Sequence, residues 1–165
     1  MRIGDVVVPN EGETIRCLRS ARDGGRFENE VVLAGKHDAP PLHAHSDSEE
    51  IEIIEGELRL IFADGERRLR AGDKYTIPAG TLHTFANATS GRLVARGSNG
   101  AFFERIVEQF GGERPGFAKL AVFLCTPEGR ASYRVQAPVR AVLEVVAFIG
   151  RLRGIRPEPA AEVGQ

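Results

Sequence analysis

The sequence predicts an all-β core of the antiparallel sandwich or barrel kind, followed by a short helical extension. Three observations lead there. Short runs that alternate apolar and polar residues recur between turn formers up to about Asn99. Glycine is abundant, 19 of 165 residues, against a usual share of roughly 7%. Beyond Asn99 the apolar spacing changes to a helical period.

In chain order, strands are expected at Thr14–Leu18, Phe27–Leu33, Glu49–Glu55 and Glu57–Ala63, where Leu58, Leu60 and Phe62 alternate with Arg59 and Ile61. Asp64-Gly65 then predicts a hairpin whose two central residues both take positive φ, with Glu66–Leu69 as the returning strand. Lys74–Ile77, His83–Asn87 and Leu93–Arg96 complete the set, and Asp5–Val8 is a candidate leading strand able to cross to a partner. In Ala101–Phe110, residues Phe102, Phe103, Ile106, Val107 and Phe110 share one helical face, and Gly111-Gly112 is the expected stop. Phe117–Cys125 is expected to be a helix, and Pro138 opens another over Val139–Leu152. The organisation read from this is a β-domain over residues 1–100, a helical extension of the same domain over 101–156, and a flexible tail over 157–165. The two or three helices are expected to pack outside the β-core or across a dimer interface.

The charge balance excludes some classes of partner. With 22 basic and 23 acidic side chains the net charge is -1, which offers no general attraction to nucleic acid or to an acidic membrane. No apolar run approaches the roughly 18–20 residues that span a bilayer, and the first residues do not read as a signal peptide. Cys17 and Cys125 stand in no metal or redox spacing and read as reduced thiols of a cytoplasmic protein.

Three of only four histidines fall in two tight clusters. His43 and His45 are two apart, so on an extended chain both rings point to one face. A carboxylate a few residues on, Glu49 or Glu50, can swing back to that face, and His83 opens a later strand. Three imidazoles and one carboxylate suit a divalent transition metal: Fe, Mn, Ni, Cu, Co or Zn. The fourth histidine, His37, reads as an exposed loop residue.

These two segments resemble the paired motifs of the cupin superfamily. Gly72, Pro78, Gly80, His83 and Asn87 match Gly-x5-Pro-x-Gly-x2-His-x3-Asn at every position. His43, His45, Glu49 and Gly56 match the other motif, with seven residues instead of five between Gly35 and His43. The resemblance implies a jelly-roll β-barrel with one divalent transition metal per chain, held by His43, His45, Glu49 and His83. It selects Glu49 over Glu50, because only Glu49 has six residues before Gly56. Alternation then places Ile51, Ile53, Leu60, Phe62 and Phe85 around an apolar pocket, with Tyr75 as a candidate acid–base group.

The resemblance to small single-domain cupins, which include dioxygenases of the quercetinase kind, implies a metal-dependent oxygenase acting on a small aromatic or enol substrate. The alternatives are a redox-neutral metalloenzyme (isomerase, decarboxylase or cyclase) and a non-catalytic binder of a small molecule or metal. A homodimer is the expected assembly.

Overall fold

The computed structural model describes residues 1–36, 40–87, 89–110 and 116–157. His37, the Gly111-Gly112 stop and the tail from residue 158 onward lie outside them. Eleven strands form two antiparallel sheets among the described residues. The first orders β1 (Val6–Val7), β2 (Glu13–Arg19), β3 (Phe27–Leu33), β10 (Leu93–Asn99), β5 (Glu49–Glu55) and β8 (Lys74–Ile77). The second orders β11 (Tyr133–Val135), β4 (His43–His45), β9 (His83–Asn87), β6 (Glu57–Phe62) and β7 (Gly65–Arg70). Most expected strands appear within a residue or two. β1 hydrogen-bonds to β2 of its own chain.

Alternation explains the core. Ile51, Ile53 and Ile77 of the first sheet and Leu58, Leu60 and Leu69 of the second are buried together with Leu33 and Leu93, while Glu50 and Ile54 face out. Each sheet therefore hides one face against the other, as period-two patterning requires.

The β6–β7 hairpin differs from expectation. Phe62 pairs with Gly65, so the turn residues are Ala63 and Asp64, and no residue other than glycine has positive φ among those described. Gly65 closes the turn as a strand residue, so a primed turn centred on Asp64-Gly65 is not formed. Glycine is favoured at the last position of an ordinary type I turn as well, which is why the dipeptide alone misplaces the register by one.

Among the described residues four α-helices follow β10, against the two or three expected: α1 (Ala101–Glu108), α2 (Phe117–Leu124), α3 (Pro127–Ser132) and α4 (Ala137–Leu152). Thr126 caps α3 by accepting from Gly129 N. Phe102, Ile106, Ala121, Phe123, Leu124, Leu143 and Ala147 make a helical core onto which Tyr133 and Val135 pack. Because those two residues belong to a strand of the second sheet, the helices are tied into the β-structure instead of only lying outside it. A third cluster joins Val107 of α1 to Ile15, Cys17 and Phe27. Both cysteines are free thiols and buried.

Glu104 anchors α1. Its side chain is 2% exposed and accepts from Ser20 Oγ at 2.7 Å, Ala21 N at 2.9 Å and the Met1 amino group at 2.8 Å. Burial pushes its carboxyl up, but these donors outweigh burial and hold it below its usual range. A carboxyl lowered on folding contributes stability that is present above its unfolded pKa and lost as pH falls through the folded one. Glu104→Gln is therefore expected to cost about 1–3 kcal/mol at neutral pH. It is also expected to weaken the loss of thermal stability as pH falls below about 5. Calorimetry of both proteins across that range checks this, and parallel pH profiles would contradict it.

Candidate metal centre

The site lies where β4, β9 and β5 come together. His43 and His83 are a cross-strand pair of the second sheet, and His45 shares the His43 face of β4. Glu49 opens β5 in the other sheet, with Ile51 and Ile53 on its inner face. The three imidazoles are buried, and their nearest ring nitrogens all lie within 4.8 Å of one another. Ring centroids stand 4.7 Å apart for His43–His83, 5.0 Å for His43–His45 and 5.3 Å for His45–His83. Glu49 is outside that mutual group and meets it through His83, whose Nε2 is 3.2 Å from Glu49 Oε2. Glu50 is exposed on the opposite face.

Backbone carbonyls set the rings. His43 donates from Nδ1 to Pro41 O at 2.8 Å, and His83 donates from Nδ1 to Thr81 O at 2.8 Å. In His43 the proton is held on Nδ1, leaving Nε2 as the lone-pair nitrogen; His83 donates from Nδ1 to the carbonyl and from Nε2 to Glu49, a proton that a metal ion would displace. Such a second hydrogen bond is the usual way to orient a metal-ligating imidazole. Thr84 Oγ1 donates to Pro40 O at 2.6 Å, which ties the Pro40-Pro41 segment to β9. Gly80 N donates to His45 O at 2.8 Å, tying the turn before His83 to β4. The motif residue Asn87 acts in the next turn, accepting from Thr89 N and donating to Gly91 O.

Electrostatics favour neutral His43 and His45, and a charged His83 paired with an ionised Glu49. Burial, then the neighbouring His45, brings His43 down to about 4. Burial also lowers His45. Burial opposes charge on His83 too, but its hydrogen bond to Glu49 outweighs this and raises it. For Glu49 burial pushes upward, and the hydrogen bond from His83 with the charges of the other histidines leaves it lowered.

The structure adds an aromatic neighbour the sequence did not single out. β11 pairs with β4 so that Tyr133 stands opposite His45 and Val135 opposite His43. The Tyr133 ring stacks on His43 at 5.2 Å and 16° and meets His45 edge-on at 5.6 Å. Burial and the Glu49 charge push its phenol above the usual range, so it stays protonated. Tyr75 sits elsewhere, 6.1 Å from the Phe62 ring and beneath the Arg67 guanidinium. No short motif marks Tyr133; only its strand register brings it to the histidines.

His43 and His45 open on a cavity of about 320 Å³ with an apolar lining. His43, His45, Phe85 and Tyr133 form one wall; Phe103 and Val107 of α1, Leu120 of α2 and Leu143 of α4 form the other. Among the residues expected to line a pocket, Phe85 lines this cavity, and Ile51 lines a smaller one beside it. Ile53, Leu60 and Phe62 line neither and belong to the core between the sheets. Alternation identifies an inward face but cannot divide it between core and cavity. That division depends on where the helices stop filling space.

A family model described as a cupin domain matches residues 29–95. That segment of the chain is a cupin domain. This cupin is similar to quercetin 2,3-dioxygenase of Bacillus subtilis (strain 168), with 47% identity over 64 residues, or 38% of this chain and 19% of that protein. It thus spans about a fifth of that curated relative. AerE from Microcystis aeruginosa has a TM-score of 0.52 at 20% identity, over 59% of this chain and 45% of AerE. Hydroxypropylphosphonic acid epoxidase from S. wedmorenis has a TM-score of 0.50 at 20% identity, over 58% and 54% of the two chains. At these identities the likeness is one of fold.

The residues of this cupin fit a metal ion. His45 Nε2 is buried without a hydrogen-bond partner, an orphan that costs about 1–3 kcal/mol in an apolar interior. Its lone pair lies among two further imidazoles whose Nδ1 protons are already committed to carbonyls. That donor set matches the borderline-soft divalent metals. No described helix is long and apolar enough to cross a membrane.

Proposed function

We propose that this cupin is a metal-dependent oxygenase of the dioxygenase type, acting on a small aromatic or enol substrate. His43, His45, His83 and Glu49 would hold one divalent ion per chain. The observation that carries the reading is the buried imidazole cluster, with His45 Nε2 unpartnered, whose His43 and His45 line an apolar cavity of about 320 Å³, near the lower end of the volumes that take small organic ligands. The identity to quercetin 2,3-dioxygenase over 64 residues supports the same chemistry.

When bound, such an ion supplies Lewis acidity and, if redox-active, one-electron chemistry with dioxygen. The chain supplies the rest. The Pro41 and Thr81 carbonyls hold the Nδ1 protons of His43 and His83 and so set the direction of their Nε2 atoms. The Glu49 carboxylate is the charged acceptor beside the site. Phe85, Phe103 and Tyr133 offer flat apolar faces to a ring and exclude water. The protonated Tyr133 phenol is available to donate a hydrogen bond to a ligand oxygen.

Oxygen uptake by iron(II)-loaded protein with a panel of catechols and flavonols tests the reading, and consumption matched by substrate loss is the expected result. Turnover undiminished under argon would sink it in favour of an isomerase, decarboxylase or cyclase. Binding without turnover across the six metals would leave a small-molecule or metal binder.

A further inference from the structure

A second polar feature lies inside the first sheet, apart from the histidines. Asn29 on β3 stands opposite Gly97 on β10, and Asn99 follows Gly97 by two residues, so all three share one face. That face is the inner one: Asn29 is 1% and Asn99 2% exposed. Asn29 Nδ2 has no acceptor and Asn99 Oδ1 has no donor. A Cβ at position 97 would lie 2.8 Å from Asn29 Oδ1 and 3.0 Å from Asn99 Nδ2. Glycine at that position therefore gives the two amides room to converge.

The pair lines a cavity of about 50 Å³ whose walls include Glu49, Phe85 and Phe103. Phe85 and Phe103 also line the larger chamber beside His43 and His45. Buried amide atoms are almost always paired, and each orphan requires a reason. One unpaired donor and one unpaired acceptor on the same small cavity are the complement of a hydroxyl group, which accepts through its oxygen and donates its proton. The volume suits so small a group, since one water takes about 30 Å³ in the liquid.

We propose that Asn29 and Asn99 form a subsite that reads the hydroxyl of a hydroxyaromatic ligand whose ring occupies the chamber lined by Phe85 and Phe103. The proposal rests on the reading of that chamber as a ligand site, and it names the feature by which a ligand is selected there. A site built to bond a hydroxyl discriminates against an analogue lacking it, because the amides are then left unpaired.

The test compares β-naphthol with β-fluoronaphthalene, which keeps the ring and replaces the hydroxyl by a group of similar size that does not donate. Binding of each to the metal-loaded, full-length protein is measured by calorimetry. The wild type is expected to favour the naphthol by at least about ten-fold. Asn29→Leu and Asn99→Leu are each expected to bring the ratio close to one while leaving metal content unchanged. A wild-type ratio near one, or no binding of either probe, would overturn the proposal; the amides would then hold a structural water only. A ratio that survives both substitutions would overturn it as well. Should a leucine variant not fold, the smaller Asn29→Ala or Asn99→Ala is read in its place. Metal content and oxygen uptake are read separately, so failure of the oxygenase reading leaves the ratio interpretable.

Discussion

Replacing His43 and His83 together by alanine is expected to reduce metal content from about one ion per chain to a small fraction of that. The double substitution leaves His45 and Glu49, one nitrogen and one carboxylate. Their separate attachment to β4 and β5 no longer benefits from the cross-strand pair that brought two imidazoles face to face. The two carbonyl hydrogen bonds that orient the rings are lost with them, and outer-shell contacts of that kind alone are worth roughly 10–100-fold in affinity. Elemental analysis of untagged protein after dialysis measures the effect, with circular dichroism to confirm the fold. Full metal content in the double variant would overturn the site assignment. Glu50→Gln serves as the control. Glu50 faces outward, so it is expected to leave metal content unchanged, whereas Glu49→Gln is expected to lower it.

A large loss of stability is expected for Gly56→Ala. Gly56 joins β5 to β6, where the chain leaves one sheet for the other, and it does so at φ +86. A Cβ there would meet Arg92 O at 2.6 Å and Leu93 Cα at 3.1 Å, both of them backbone. Two costs therefore add. A side chain in the left-handed region costs about 1–2 kcal/mol, and forcing apart a packed backbone costs about 1–3 kcal/mol more. The midpoint of thermal unfolding is expected to fall on the order of 10 °C. Gly72→Ala separates the two terms, because Gly72 has φ +92 but nothing within 4 Å of its notional Cβ. It should show the conformational cost without the contact. Equal losses in the two variants would contradict the account.

Much of the β-core is legible from short-range rules. The hydrophobic side of β5 and β6 follows from alternation at Ile51, Ile53, Leu58 and Leu60, all buried. The β3, β5, β8 and β9 boundaries follow from the turn residues around them. Legibility weakens where a choice depends on a partner distant in sequence. Asp64-Gly65 looks like the centre of a primed turn, yet pairing of Gly65 with Phe62 moves the turn back one residue. The three-residue strand β11 carries no readable period; it exists because its backbone completes the ladder beside β4. Tyr133 could not be nominated, and Tyr75 could, for the same reason: proximity to His43 is a matter of register across 90 positions of chain.

By itself, then, the sequence determined the kinds of strand, their inward faces and a candidate donor set, since spacing, alternation and turn chemistry are local properties of the chain. The tertiary structure decided what surrounds those donors. It brought Glu49 from one sheet to His83 of the other, laid Tyr133 on His43, and made α1, α2 and α4 into the far wall of the cavity. It also gathered Asn29 and Asn99 onto one inner face around Gly97. These are long-range packing outcomes, set by which apolar surfaces cover one another, and no window of the chain carries that information.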